Sequence, residues 1–233
     1  MMILALDTST SEGGVAVLRD AVVLSQRLWK REKSHSETVT AMIQETLRSA
    51  SVQIEDLTCL ALGKGPGSFT GIRIAVNAIK TIAFARNLPT MAFDTTEILA
   101  GGVSQKELPL LAVVNAHKNL LYTARFENQN DQWARRSETK ALNLAQIEEL
   151  VHGPHLCVGD GFLEYADFLS PVLKSRLVRD PQYSDFPQPG VLGRMTSAQF
   201  SENLALDWNA VQALYIRASE AEEKLRDGGN IKS

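Results

Sequence analysis

The chain has 233 residues, 44% hydrophobic and 22% charged, which is ordinary for a globular protein, excludes a disordered or fibrous one, and suffices for one large domain or two small ones. Its 24 Lys and Arg against 27 Asp and Glu give a formal net charge of -3, and the basic residues are scattered. A protein that grips nucleic acid by itself carries a basic face, so contact with RNA is expected only through a partner.

The start reads as a meander of three antiparallel strands: Ile3 to Leu6, then Val15 to Leu18 after the turn-rich Asp7 to Gly14, then Ala21 to Leu28 after the tight turn Arg19-Asp20. Ser34 and Glu37 are spaced as a capping box, and Val39, Met42, Ile43, Leu47 and Ala50 recur at helical spacing behind them. A buried strand, Leu57 to Leu62, runs into the glycine-rich Gly63 to Gly71, after which a helix is expected from Ile72 to about Arg86. On that helix Ile72, Ala75, Val76, Ile79 and Ala83 form one apolar face, and Ile74, Ala78, Thr81 and Ala85 form a second face of small side chains. A helix apolar on two sides needs two covers, one of them its own sheet and the other a further helix or a partner protein.

A short strand (Thr90 to Phe93) and a helix (Thr95 to about Ala100) close the first half, and 101–107 is the best boundary. The second half opens with the strand pair Leu110 to Val114 and Leu121 to Phe126, as a duplicated architecture would. A helix near Leu144 to Val151, a strand Leu156 to Val158, a proline-rich loop from Pro181 to Pro189 and a helix Val191 to Glu202 follow, and the polar tail from about Asp227 is expected to be disordered. Cys59 and Cys157 lie in apolar runs and read as buried free thiols of a reducing compartment. Met1 to Asp7 reaches a charge without a basic leader, and no apolar stretch is long enough for a membrane span, so a cytoplasmic protein without a membrane partner is expected.

Few motifs carry chemistry. Asp7-Thr8-Ser9-Thr10 lies where the first strand turns back, the position at which actin-like ATPases hold hydrated magnesium and phosphates, although the same string is good turn chemistry. The glycines of 63–71 and the free N–H groups of the next helix suit an anion, or a tight turn with no ligand; it is not a Walker loop, because Lys64 follows the first glycine instead of preceding Ser68. His152-Gly153-Pro154-His155 has the wrong spacing for two ligands on one helical face, so no metal site is expected. No serine-hydrolase elbow and no outstanding carboxylate pair occurs, and no catalytic residue is assigned.

The strings I-L-A-L-D-T-S-T (3–10), K-S-H-S-E (33–37) and above all G-K-G-P-G-S-F-T-G-I-R-I-A (63–75), with L-Y-I-R at Leu214 to Arg217, resemble the bacterial TsaB (YeaZ) family. The resemblance implies an α/β actin-like fold of the sugar kinase/Hsp70 type, with two related subdomains that each carry a mixed sheet and flanking helices, 1–104 and 105–233, the end of the chain packing back on the first. It further implies a non-catalytic accessory subunit for threonylcarbamoyl transfer to adenosine of tRNAs reading codons that begin with A. The partners implied are the metal-dependent paralogue TsaD (YgjD/Gcp), the ATPase TsaE, and tRNA through the complex, with a homodimer of the free subunit left open. The family pairs through its first two helices, which assigns His35, Val39, Met42, Ile43, Ile74, Ala78, Thr81 and Ala85 to the interface. No cofactor of its own is implied; ATP or ADP belongs at the subunit junction, with Asp7, Thr8, Lys64, Gly65, Gly67, Ser68 and Arg73 as the candidate contacts. The sequence departs from the family pattern at Asn115-Ala116-His117, at Leu120-Leu121-Tyr122 and at Ala213. The competing reading is a stand-alone actin-like ATPase or small-molecule kinase, whose second phosphate loop is matched only faintly by Gly159-Asp160-Gly161.

Overall fold

The computed structural model describes residues 1–30, 35–201 and 204–217, and for 35–37 the backbone alone. The expected cap from Ser34 and Glu37, and the tail from Asp227, lie outside those residues.

The strands β1 (Met2–Asp7), β2 (Glu12–Arg19) and β3 (Val22–Lys30) pair antiparallel as the meander requires. The chain crosses through α1 (His35–Ser49) to β4 (Cys59–Gly63), parallel to β1, and through α2 (Phe69–Arg86) to β5 (Thr90–Phe93), parallel to β4. The sheet order is β3-β2-β1-β4-β5. Side chains alternate across it: Leu4, Leu6, Val15, Val17, Leu60 and Leu62 face α1 and α2, while Ile3, Ala5, Ala16, Leu18, Cys59 and Ala61 face the other way. Each strand buried on both faces therefore reads as a continuous apolar run.

α2 starts at Phe69, three residues before the expected Ile72, because Ser68 is its N-cap and accepts a bond from the Gly71 N–H at 3.3 Å. It ends on Asn87, held in the left-handed conformation at φ 51°. Asp94 caps α3 (Thr95–Gly101) with a capping box completed by Glu97.

The second sheet repeats the theme: β6 (Leu110–Asn115) and β7 (Leu121–Gln129) form an antiparallel hairpin extended by β8 (Gln132–Arg135), with β9 (Lys140–Leu142) also on β7. After α4 (Leu144–Leu150), β10 (His155–Val158) joins β6 in parallel. Then come α5 (Asp160–Tyr165), α6 (Pro171–Arg176) and β11 (Leu177–Val178), parallel to β10. Ile147, Val151 and Leu173 cover one face of this sheet, and Leu99 and Ala100 of α3 cover the other. Cys59 and Cys157 are buried free thiols, pushed up to about 12 by desolvation.

α7 (Pro189–Gln199) returns to the first sheet, where Val191 and Leu192 join the core of Ile3, Leu18 and Cys59. Beyond it Leu206 pairs with Thr90 in both directions, Val211 enters the core under α2, and the Leu214 N–H donates to the Lys64 carbonyl at 2.8 Å. No helix among the described residues is long and apolar enough to cross a membrane.

Candidate functional site

Three hollows meet the residues singled out above. The first lies between α1 and α2, which pack on the same face of the sheet. It encloses about 690 Å³ and is lined by Val39, Ile43, Leu47, Ile74, Ala78 and Thr81, among others. Ile74 and Ala78 are half-buried and Thr81 is exposed, so the small-residue face of α2 has no cover within the described chain. Five of the eight expected interface residues thus share one groove. Met42 instead packs half-buried toward the core, Ala85 is exposed and does not line the groove, and the side chain of His35 lies outside the described residues. Val52 and Ile54, on the connection after α1, also line it; their place in an irregular segment gave no periodic signal.

The second is a cleft of about 370 Å³ between the two sheets, lined by Ser9, Thr10, Ser68, Asn115, His117 and Asp160. Asp7 lies beneath it, fully buried at the end of β1, accepting from the Ser9 amide and hydroxyl at 2.9 Å. Desolvation raises its carboxyl to about 6 against the lowering effect of those bonds, and the charge of Asp160 across the cleft adds to the rise. Asp160 itself, holding the Asn115 N–H at 3.0 Å, is raised to about 6, again chiefly by burial.

The glycine loop is packed against this turn. A Cβ on Gly63 would fall 1.7 Å from Asp7 Oδ2, and one on Gly67 would fall 2.0 Å from the Ser9 carbonyl oxygen, so both close approaches require glycine. Several of the amides expected to cradle an anion are committed at home: Lys64 N–H donates to Phe93 O, Ser68 N–H to Ser9 O and Gly71 N–H to Ser68 Oγ. The Thr8 hydroxyl donates to Gly71 O at 2.7 Å, and the Thr95 hydroxyl to Ser9 Oγ at 2.9 Å. Gly65, also among the candidate contacts, abuts the Leu214 carbonyl.

The two cations flanking the loop part company. Arg73 is exposed on α2, 3.9 Å above the Phe69 ring and hydrogen-bonded to the Tyr215 hydroxyl at 3.2 Å. Lys64 turns to the third hollow, about 990 Å³, behind β5 and between α3, α7 and β8. Asp7, Thr8 and Ser68 therefore gather at the cleft, and Arg73 and Lys64 do not join them. No group of three or more His, Cys, Asp or Glu among the described residues is placed to hold a metal ion.

The comparisons agree with this architecture. Residues 23–212 match the family described as TsaD: tRNA N6-adenosine threonylcarbamoyltransferase. The tRNA threonylcarbamoyladenosine biosynthesis protein TsaB of Bacillus subtilis is 26% identical over 227 residues, 96% of this chain and 97% of that one. Its namesake in Escherichia coli is 27% identical over 232 residues, 97% and 98% of the two chains. Among solved structures YeaZ from Pseudomonas aeruginosa superposes with a TM-score of 0.77 at 22% identity, covering 92% of this chain and 99% of its own, and so shares the actin-like fold. The chain belongs to the TsaB (YeaZ) members of the TsaD-type family of tRNA threonylcarbamoyladenosine biosynthesis.

Proposed function

We propose that this chain is a non-catalytic subunit that pairs with the TsaD paralogue through the α1–α2 groove and so supports threonylcarbamoyl transfer to adenosine of tRNAs reading codons that begin with A. The observation that carries the reading is the groove itself: Ile74, Ala78 and Thr81 of α2 present a surface of partly small side chains that the described chain leaves open, over a base to which the buried Val39 and Ile43 of α1 contribute. A related helix pair from a paralogue of the same fold offers a matching surface, because small side chains let helices approach closely and ridges interlock with grooves. TsaE and tRNA join through that complex, and ATP or ADP lies at its junction.

Two further observations support a role without chemistry. The loop amides at Lys64, Ser68 and Gly71 are bound within the chain, and among the described residues the lining of the groove contains no histidine, cysteine or carboxylate. Asp7 and Asp160 at the inter-sheet cleft are what favours the stand-alone ATPase or kinase reading.

Ala78→Arg is the test. A guanidinium at the floor of the groove stays solvated in the free subunit and must be desolvated in the pair, at a cost of several kcal/mol, so binding to purified TsaD falls by about 100-fold or more. Circular dichroism and melting temperature of the free variant should match the parent. Normal pairing by Ala78→Arg sinks the interface assignment, and ATP turnover by the isolated parent sinks the non-catalytic one.

A further inference from the structure

The third hollow lies on the side of the first sheet opposite the α1–α2 groove, since α3 and α7 cover the face that α1 and α2 do not. At about 990 Å³ it is larger than the other two described and large enough for a nucleotide-sized molecule. Among the described residues its wall carries four cations, Lys64, Lys106, Arg135 and Arg194, and a single acid, Glu97, a surplus of three positive charges there in a chain whose formal net charge is -3.

Arg135 is spoken for. Its guanidinium lies 3.1 Å from Asp94 and 3.4 Å from Glu97, which also uses up the one acid of the wall. Lys64, Lys106 and Arg194 make no ion pair among the described residues. Lys64 is half-buried, and Lys106 bonds the Ser104 carbonyl and lies over the Trp133 ring, 5.8 Å from its centroid. The rest of the wall is largely apolar and partly aromatic, with Phe93, Met195 and the Trp133 indole, whose Nε1–H donates to the Val103 carbonyl at 2.9 Å and fixes the ring.

Like charges gathered in a semi-enclosed hollow repel one another and attract an anion. Three such cations suit the two or three charges of a diphosphate better than one carboxylate, an arginine adds a fork that matches phosphate oxygens, and a fixed indole suits a flat ring. We propose that this hollow binds a phosphate ester with a planar aromatic body, its phosphates at the cationic wall and its ring against Trp133. The ligand enters from the face away from α1 and α2, so it binds the free subunit and the paired one alike.

Calorimetric titration of the full chain with ADP, pyrophosphate and adenosine tests this. ADP is expected to saturate one site, with pyrophosphate and adenosine each at least tenfold weaker. Arg194→Glu, on an exposed position that leaves folding intact, should weaken ADP at least tenfold, and Trp133→Phe should weaken ADP while sparing pyrophosphate. Glu164→Lys alters the inter-sheet cleft and reports binding there instead. No saturable ADP binding at millimolar concentration overturns the proposal, and so does an affinity that shifts in Glu164→Lys and stays within twofold in Arg194→Glu.

Discussion

Asp7 is a carboxyl at zero exposure whose close contacts are the Ser9 donors and the bare backbone of Gly63. Its folded value, about 6, lies above the ordinary 3.8. The native state therefore holds more protons than the unfolded chain between those limits, and linkage makes this contribution to stability fall as pH rises from about 4 to about 6 and stay low above it. Asp7→Asn keeps an acceptor for Ser9 and removes the charge. Urea unfolding of both proteins across pH 4–7 should give curves that diverge by up to about 3 kcal/mol in favour of the variant at the upper end. Parallel curves would mean that Asp7 is solvated in the native state. At this scale the sequence revealed the groups and not their directions. Lys64 and Arg73 flank one loop, yet Lys64 lines the hollow behind β5, while Arg73 stacks on Phe69 one turn back on α2 and bonds Tyr215, a partner remote in sequence.

Ser68 shows what a single residue does for an element. Its hydroxyl satisfies one of the orphan amides at the start of α2, the helix that carries half of the proposed partner groove. Ser68→Ala should cost about 1 kcal/mol in chemical denaturation, and Ser68→Asp should recover most of it; equal stabilities of all three would show the cap to be idle. Long periodic elements such as α1 and α2 were legible from spacing alone. α5 and α6, of six residues each, and β11, of two, were not, because so few residues cannot display a period. The expected helix Val191 to Glu202 begins instead at Pro189, which is favoured in the first turn because its missing N–H would have no partner there.

For the whole molecule, the second face of the first sheet is covered by Val191 and Leu192 of α7, which follows the entire second sheet in the chain. No local pattern announces that destination; Val191 and Leu192 are apolar enough for either sheet, and only the tertiary structure assigns them to Ile3 and Leu18. Ending the chain at residue 186 would leave the apolar side chains of Ile3, Ala5, Leu18, Cys59 and Ala61 without α7. Such a fragment should accumulate in the insoluble fraction or bind the dye ANS while retaining far-ultraviolet dichroism. A soluble fragment with native near-ultraviolet dichroism would show that α7 is dispensable.

That return of the chain also sets an order of events during synthesis. Residues 1–101 contain every strand of the first sheet, yet α7 and the strand partner of Thr90 are made about 100 residues later, on the order of 5–20 s at ordinary translation rates. Until then the nascent chain exposes one apolar face of a nearly finished sheet, while α1, α2 and the described residues that line their groove are already made, with Val211 still to join the core beneath them. The subunit is thus able to meet a partner at its groove before its own back is closed, and during that interval it is most in need of a chaperone.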